Sequence, residues 1–335
     1  MILISIFTKM LHFLPSEVSH HIALKGLKIF YATGLLKLFI KPKKQIVRNS
    51  LNLDLRKLSN KVGIAAGLDK NGDYIDCLGA LGIGFLELGT VTPRPQIGNP
   101  KPRLFRNRKD KSLINRLGFN NKGVDHLVKN LKYRKSDVII GSSIGKNYDT
   151  PNQIAYRDYL ICLEKIYQYS DYIAVNVSSP NTKGLRDLTD SSYLNILIKK
   201  LKNKQSELAI EHGYKPIFIK LSPDEELSNL KEICISILDN KLDGIICCNT
   251  TIEHSNTNES GGLSGAPLRE KATSTLKVVK SLIGDQLPII ASGGVMSALD
   301  YEEKIEAGAD LVQIYTGFIY EGPKLIEDIV NLSSV

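Results

Sequence analysis

The chain has 335 residues and a mass of 37.1 kDa, and its content of 42% hydrophobic and 24% charged residues excludes a disordered, collagen-like or low-complexity protein. Five cysteines form no CxxC pair, which argues against a disulfide scaffold or a structural zinc site and favours a reducing compartment. The net charge of +9 alone would allow nucleic acid, anionic lipid or acidic substrates as partners.

The first 48 residues, which we call the head, carry most of this charge, since eight basic residues against one acid give them +7. Apolar residues at helical spacing predict an amphipathic helix that Pro15 ends. We expect Ser16 to cap a second helix that runs to about Gly34, and an apolar segment then continues to Pro42. The stripe of the first helix consists of Leu3, Ile6, Phe7, Met10, Leu11 and Leu14.

A basic and apolar helical pair is typical of a segment that docks on a membrane surface. An ordinary packed helical pair is the alternative, whereas a secretory signal is disfavoured because Lys9 follows the apolar start. The longest apolar run has about seven residues, well below the ~20 that a spanning helix needs. We therefore predict surface docking and no transmembrane segment.

After residue 60 the chain repeats a short apolar run followed by a segment of helix length. Continuous runs rich in Val and Ile are typical of parallel strands that are buried on both faces. Eight such units predict an α/β fold, a (β/α)₈ TIM barrel. A proline-rich connection over residues 92–137 is expected to fold over the barrel mouth. The runs begin at Val62, Gly84, Val138, Tyr172, Pro216, Gly244, Pro288 and Leu311.

Polar residues cluster where these runs end, which is the end at which such barrels hold their active sites. Glycine-rich turns after the last three strands together indicate a phosphate site, although a single pair of glycines is usually a simple turn. Lys70 and Lys220 are suited to stabilise an anionic reduced flavin. The alternative for each is a structural role, in which the side chain extends along the barrel rim and keeps its charge in water. The turn residues are Gly261, Gly262, Gly265, Gly293, Gly294, Tyr315, Thr316 and Gly317.

Amides and one serine complete the candidate site. Asn115, Asn176, Asn181 and Asn249 suit a flat substrate with alternating C=O and N–H groups, although single loop asparagines are often turn residues.

Ser179 acts as a base only if its proton has an outlet, such as the Thr182 hydroxyl or a water chain; a serine turn before a proline is equally compatible with this segment. No histidine lies in the strand-end motifs and no ligand cluster has metal spacing, so we predict neither a Ser-His-Asp hydrolase nor a metal site.

The motifs together resemble the dihydroorotate dehydrogenase family from the head to the C-terminus. The head and Ser179, where the soluble class has a cysteine, resemble the quinone-linked, membrane-associated class 2. The motifs are AAGLDKNG at 65–72, ELGTVTPRPQIGNPKPRLFR at 87–106, NRLGFNNKG at 115–123, IGKN at 144–147, NVSSPNTKGLR at 176–186, NTT at 249–251, GGLSG at 261–265, SGGV at 292–295 and VQIYTGFIYEGP at 312–323.

This resemblance implies FMN as the cofactor, (S)-dihydroorotate as the substrate and orotate as the product in pyrimidine biosynthesis. Ser179 is then the base at C5, and a hydride passes from C6 to FMN. The positions that match the FMN site are Ala66, Gly67, Lys70, Thr90, Asn176, Lys220, Gly265, Gly294, Tyr315 and Thr316, the last four at the phosphate. The positions that match the substrate site are Lys70, Asn115, Arg116, Leu117, Gly118, Phe119, Asn176, Asn181, Asn249 and Thr250, with Lys70 at the carboxylate.

Two positions depart from the pattern of the family. Ser143 stands where asparagine is more common, and Cys248 stands where threonine is common; both positions usually contact the flavin. Serine reaches less far than an amide and cysteine is a weak donor, so we expect FMN to bind with a shifted affinity or potential.

The resemblance also implies how the chain is organised. Residues 1–45 are expected to dock on the cytoplasmic face of the inner membrane as a peripheral segment and to admit a membrane quinone, while residues 46–335 form the FMN barrel of a monomer.

One alternative function is that of a soluble flavin barrel that uses fumarate or NAD, which the apolar head disfavours. Another is a tRNA-modifying flavoprotein, and the concentration of charge in the head argues against nucleic acid as a partner.

Overall fold

The computed structural model describes residues 10–40, 58–182, 184–189, 191–254 and 258–332. Eight parallel strands each fall within one of the eight predicted runs. They are β1 (Val62–Ile64), β2 (Phe85–Val91), β5 (Ile139–Ile144), β6 (Tyr172–Asn176), β7 (Ile217–Leu221), β8 (Gly244–Cys247), β10 (Ile289–Ser292) and β11 (Leu311–Ile314). The strands close into a barrel in the order β1-β11-β10-β8-β7-β6-β5-β2, so the predicted TIM barrel is confirmed.

Helices alternate with these strands and surround the barrel. Their inward faces bury a continuous apolar layer against the strands, which is why the strands have Val and Ile on both faces. The helices of the barrel are α3 (Ile75–Gly79), α4 (Val124–Tyr133), α5 (Ala155–Ile166), α6 (Ser191–His212), α7 (Leu227–Asp239), α8 (Arg269–Ile283), α9 (Ala298–Glu306), α10 (Thr316–Glu321) and α11 (Pro323–Leu332).

The barrel interior is a second, smaller core that includes Phe85, Tyr172 and Phe218. The Phe218 side chain is 1% exposed, and its ring lies 5.5 Å from the Tyr172 ring, measured between centroids. Gly244 on the neighbouring strand leaves the space that this ring occupies, since a Cβ there would meet it. Large aromatic residues therefore fill the inside of the closed sheet.

Phe218→Ala is expected to lower the free energy of unfolding by about 3–5 kcal/mol, because it leaves a void that the closed barrel cannot collapse. Urea unfolding followed by far-UV circular dichroism measures this loss. Ile235→Ala on α7 is the control, since Ile235 is 57% exposed and its loss should cost less than about 0.5 kcal/mol. Equal losses in the two variants would contradict the packing argument.

Three further strands, which the sequence pattern did not predict, form an antiparallel sheet at the barrel mouth in the order β3-β4-β9. They are β3 (Leu104–Asn107), β4 (Ser112–Asn115) and β9 (Gly262–Gly265). The first two lie in the proline-rich connection, which thereby contributes to the mouth as expected. The GGLSG segment, expected as a glycine turn, is largely the strand β9 paired with β4.

The head consists of α1 (Ser16–Ala32) and α2 (Leu36–Phe39). Ser16 is the first residue of α1 and Pro15 occupies the cap position, so the predicted Ser16 cap is wrong. Residues 1–9 and 41–57, which include half of the first apolar stripe and the expected boundary at 45, lie outside the described residues. Among the described helices, none combines the length and apolar character that crossing a membrane would need.

Candidate active site

A cavity opens at the carboxyl ends of the barrel strands. It brings together nearly all of the residues that the sequence singled out, because parallel strands present their carboxyl ends at one rim. Those in its lining are Ala66, Gly67, Lys70, Thr90, Asn115, Leu117, Gly118, Phe119, Asn176, Ser179, Asn181, Lys220, Cys248, Asn249, Thr250, Gly265, Gly294, Tyr315 and Thr316.

Two predicted residues stand outside this lining. Ser143 is fully buried behind it, where its hydroxyl lies 2.9 Å from the Thr90 hydroxyl. The Arg116 guanidinium pairs with Glu259 at 2.7 Å and lies 4.4 Å from the centroid of the Phe105 ring, so its charge is turned away from the cavity. Their contribution to the site is therefore indirect.

The four predicted amides form two pairs. The Asn181 amide nitrogen donates to the Asn115 side-chain oxygen at 3.0 Å. The Asn249 amide nitrogen donates to the Asn176 oxygen at 3.3 Å, and Asn176 in turn donates to the Thr90 hydroxyl at 2.9 Å. These contacts fix the amide planes before any ligand is present, so the remaining donors and acceptors face the cavity in a set direction.

Ser179 lies at the edge of this amide set and is 7% exposed. Its hydroxyl accepts a hydrogen bond from the Asn181 backbone N–H at 3.3 Å, as a serine turn requires. The nearby Thr182 hydroxyl is buried and has no hydrogen-bond partner. The segment therefore combines a turn serine with an unused hydroxyl three residues later.

Two lysines supply positive charge to the cavity. Burial, followed by the charge of Arg103, lowers the pKa of Lys70 to about 8. Lys220 is 6% exposed, and its ammonium lies 3.6 Å from a carboxylate oxygen of Glu87 inside the barrel. The two lysines therefore differ. The pKa of Lys70 is lowered to about 8, whereas the Lys220 ammonium is paired with a carboxylate inside the barrel.

Glycines form the opposite wall of the cavity. Gly265 and Gly294 have φ of +98° and +78°, and a Cβ at either position would meet backbone atoms, of Lys111 and Arg269 respectively. Only glycine therefore fits at these two positions, where the wall packs closely against neighbouring segments of the chain. Beside them the Ser264 and Thr316 hydroxyls lie 2.8 Å apart. Backbone N–H groups and hydroxyls in such a wall suit a phosphate.

Some lining residues were not assigned a binding role from the sequence. Most lie inside the quoted motifs, and Gly293 and Gly317 were expected only as turn residues; Leu268 and Met296 lie just outside the motifs. Gln313 gave no signal of its own because it lies inside an apolar run, as Glu87 does. The lining residues absent from the predicted sets of binding residues are Ala65, Ser264, Leu268, Ser292, Gly293, Val295, Met296, Gln313 and Gly317.

A second, apolar cavity lies between the head and the barrel. Ala23, Gly26 and Phe30 of α1 line one side, and Phe318 of α10 lines the other. Tyr315 borders both this cavity and the one at the barrel mouth. The two cavities therefore share a wall.

Charged contacts seat the head above this apolar cavity. The Arg103 guanidinium is buried and donates to the Glu17 carboxylate at 3.0 Å. Lys28 of the head donates to the Asp73 carbonyl at 3.0 Å. Burial, followed by the charge of Lys70, lowers the pKa of His20 to about 3, so this histidine of the cavity lining is neutral.

The sequence and the fold of this chain match those of known proteins. The sequence pattern of the family described as Dihydroorotate dehydrogenase matches residues 50–332. The chain belongs to the dihydroorotate dehydrogenase family. A Dihydroorotate dehydrogenase (quinone) of Aliivibrio salmonicida is 49% identical over 95% of this chain and 96% of its own length, and one of Vibrio parahaemolyticus is 48% identical with the same coverage. The chain is thus an oxidoreductase of the quinone-dependent class of this family.

Solved structures give the same result for the fold. DHODH from Eimeria tenella in complex with ferulenol superposes with a TM-score of 0.82 at 32% identity, covering 94% of this chain and 89% of that one. The ligand-free form of the same protein gives 0.80 at 34% identity, with 92% of both chains covered. The family and the fold expected from the resemblance are therefore confirmed.

Proposed function

We propose that this chain oxidises (S)-dihydroorotate to orotate for pyrimidine biosynthesis, with FMN bound at the barrel mouth and a membrane quinone as the final acceptor. The observation that carries the proposal is the pairing of two cavities. A polar cavity unites both lysines with the amide pairs and Ser179, and it shares Tyr315 with an apolar cavity beneath the head. A water-soluble substrate and a lipid-soluble acceptor thus have adjoining sites.

The residues of the barrel mouth fit FMN. The glycine wall at Gly265 and Gly294, with Tyr315 and Thr316, lines the part of the cavity where a phosphate would bind, and packing against Lys111 and Arg269 leaves no room for a Cβ at either glycine. Lys220 approaches from β7 and suits the pyrimidine edge of the ring system, where negative charge collects on reduction. Further contacts come from Ala66, Gly67, Lys70, Thr90 and Asn176, with Cys248 beside them.

The two departures from the family pattern leave this fit intact. Ser143 reaches the site through the Thr90 hydroxyl, and Cys248 directs its thiol toward the Ser292 carbonyl at 3.8 Å. Each removes at most one hydrogen bond to the flavin. We therefore expect FMN to remain bound, with a changed affinity or potential.

Dihydroorotate is proposed to lie against the amide pairs. Lys70 offers its charge to the carboxylate, while Asn115, Asn176, Asn181 and Asn249 match the alternating C=O and N–H groups of the ring. Thr250 and the segment from Arg116 to Phe119 close the sides, the Arg116 side chain contributing through its pair with Glu259.

Ser179 is the proposed base that takes the proton from C5. The Thr182 hydroxyl, buried and without a partner, offers the proton an outlet, alone or through water. FMN supplies the acceptor for the hydride that leaves C6. The amide pairs meanwhile hold the two carbons in place, so the residues of the chain contribute orientation, charge and proton transfer.

The head is proposed to dock residues 1–45 on the inner-membrane surface and to admit the quinone to the apolar cavity. Exposed apolar side chains on the described part of the head include Phe13 at 79%, Ile29 at 63% and Leu38 at 71%. Lysines flank them, among them Lys25 and Lys37. This combination suits an anionic lipid surface.

One spectrum tests the central proposal. The purified protein should be yellow with the absorption of bound FMN, and dihydroorotate added without oxygen should bleach it. Ubiquinone added next should restore the colour, whereas NAD and fumarate should not. Protein without flavin, or flavin that dihydroorotate leaves oxidised, would refute the proposal.

The pKa of Lys70 predicts the pH dependence. Lys70 is charged below a pKa of about 8 and neutral above it, so kcat/KM for dihydroorotate should fall as pH rises through about 8. Arg103→Gln removes a charge that lowers this pKa and should move the falling limb to higher pH. Initial rates across a pH series measure both profiles. A limb that stays in place in the variant would show that another group is responsible.

A further inference from the structure

A carboxylate lies inside the barrel, directly below the proposed flavin site. Glu87 projects from β2 and is fully buried, in an interior whose other members are mainly aromatic and aliphatic. One of its oxygens accepts from the Tyr172 hydroxyl at 3.0 Å and from the Gln313 amide at 2.6 Å. The other oxygen is buried without a hydrogen-bond partner.

This second oxygen faces a cation. The Lys220 ammonium lies 3.6 Å from it, and Lys220 itself lines the cavity at the barrel mouth. Taking a single charge out of water costs several kcal/mol unless an opposite charge compensates it. The hydrogen bonds from Tyr172 and Gln313 hold the carboxylate in place, so that its second oxygen faces the lysine.

We propose that Glu87 is a positioning residue that keeps Lys220 charged and directed at the pyrimidine edge of FMN, and thereby sets the redox potential of the flavin. This inference rests on the proposed FMN site. Glu87 touches neither substrate nor cofactor, because Lys220 and Gln313 lie between it and the cavity. It acts through the charge of another residue.

Among the described residues, few titratable groups surround Glu87 and Lys220. Tyr172 faces Glu87 from β6, and burial, together with the Glu87 charge, raises its pKa well above the usual value, so it remains a neutral donor. Gln313 on β11 carries no charge, and Gly141 and Ile246 on β5 and β8 carry no ionisable group. The other titratable groups of the cavity lining are Lys70, Cys248 and Tyr315.

The test compares the midpoint potential of bound FMN in the wild type and in Glu87→Gln, by spectroelectrochemistry over about pH 6 to about pH 9. At the low end the midpoint potential of the variant should lie at or above that of the wild type, because the variant lacks the negative charge of Glu87. Toward the high end, if Glu87 keeps Lys220 charged, the unpaired lysine of the variant should lose its proton before the paired lysine of the wild type does. The reduced flavin should then be about tenfold less favoured, which is about 30 mV for a two-electron couple. Titration of Lys70 occurs in both proteins and cancels in the difference.

Three further variants make the result decisive. Tyr172→Phe removes a hydrogen bond but keeps the carboxylate, so its difference from wild type should not change with pH. Lys220→Met should lower the potential at every pH, and Glu87→Gln added to it should cause no pH-dependent change. Glu87→Asp keeps the charge and should restore most of the wild-type behaviour.

A pH-independent difference for Glu87→Gln would overturn the inference. If that variant does not fold, an unchanged potential in Lys220→Met would overturn it as well. Both results differ from failure of the proposed function, which would appear as wild-type protein without FMN or with FMN that dihydroorotate does not reduce.

Discussion

Ser179→Ala should leave the protein yellow yet slow the reduction of its flavin by dihydroorotate about 10²- to 10⁴-fold, the usual scale for the loss of a general base. The methyl group preserves the turn before Pro180, and the Asn181 backbone N–H loses only a long hydrogen bond of 3.3 Å. Anaerobic stopped-flow absorption measures the rate of bleaching, and the spectrum before mixing reports the retained FMN.

The neighbouring serine supplies the control. Ser178 is fully buried, and its hydroxyl accepts from the Asn249 amide at 3.1 Å, so Ser178→Ala should cost one neutral hydrogen bond and less than about tenfold in rate. Ser179→Cys keeps an ionisable hydrogen on the side chain and should recover part of the rate as pH rises toward the ordinary thiol pKa of about 8.5. Wild-type bleaching in Ser179→Ala would remove this residue from the mechanism.

The barrel could be predicted from sequence because its strands are buried on both faces, so each reads as an unbroken apolar run. The strands β3, β4 and β9 carry no such signal. Their residues include Arg106, Asn107 and two glycines. The strands β3 and β4 form a local hairpin, but β9 joins them only because the fold brings Gly262 opposite Asn115, which lies 147 residues away in sequence. This pairing depends on tertiary contacts, which a local pattern does not contain.

The same contrast between local sequence pattern and tertiary contact applies to the active site. Residues after the barrel strands converge because the topology requires it, and so the predicted lining is largely present. Arg116 lies in the predicted motif, yet its direction is decided by Glu259, which is 143 residues later. Glu87 and Gln313 were hidden inside apolar runs, and their contact spans 226 positions. Backbone placement was predictable, whereas side-chain direction was not.

Gly26→Leu should raise the KM for ubiquinone about tenfold or more while leaving flavin reduction by dihydroorotate unchanged. Gly26 lies on the face of α1 that lines the apolar cavity, with Ala23 and Phe30, and a Cβ built there meets nothing within 4 Å. A leucine therefore enters open space and occupies volume that the quinone needs. Glycine is a poor helix former, so the change also favours α1 by up to about 1 kcal/mol and does not threaten the fold.

His21→Leu is the matched control, because it places the same side chain on the same helix at an exposed position outside the cavity lining. Its effect on the quinone KM should be less than about twofold, within the range expected of surface substitutions. Rapid-mixing experiments separate the two half-reactions, and ubiquinone in lipid vesicles keeps the acceptor in its natural phase. Gly26→Leu with normal quinone kinetics would exclude the apolar cavity as the acceptor site. Slowed flavin reduction in the same variant would show instead that the head alters the barrel through Tyr315, the residue that both cavities share.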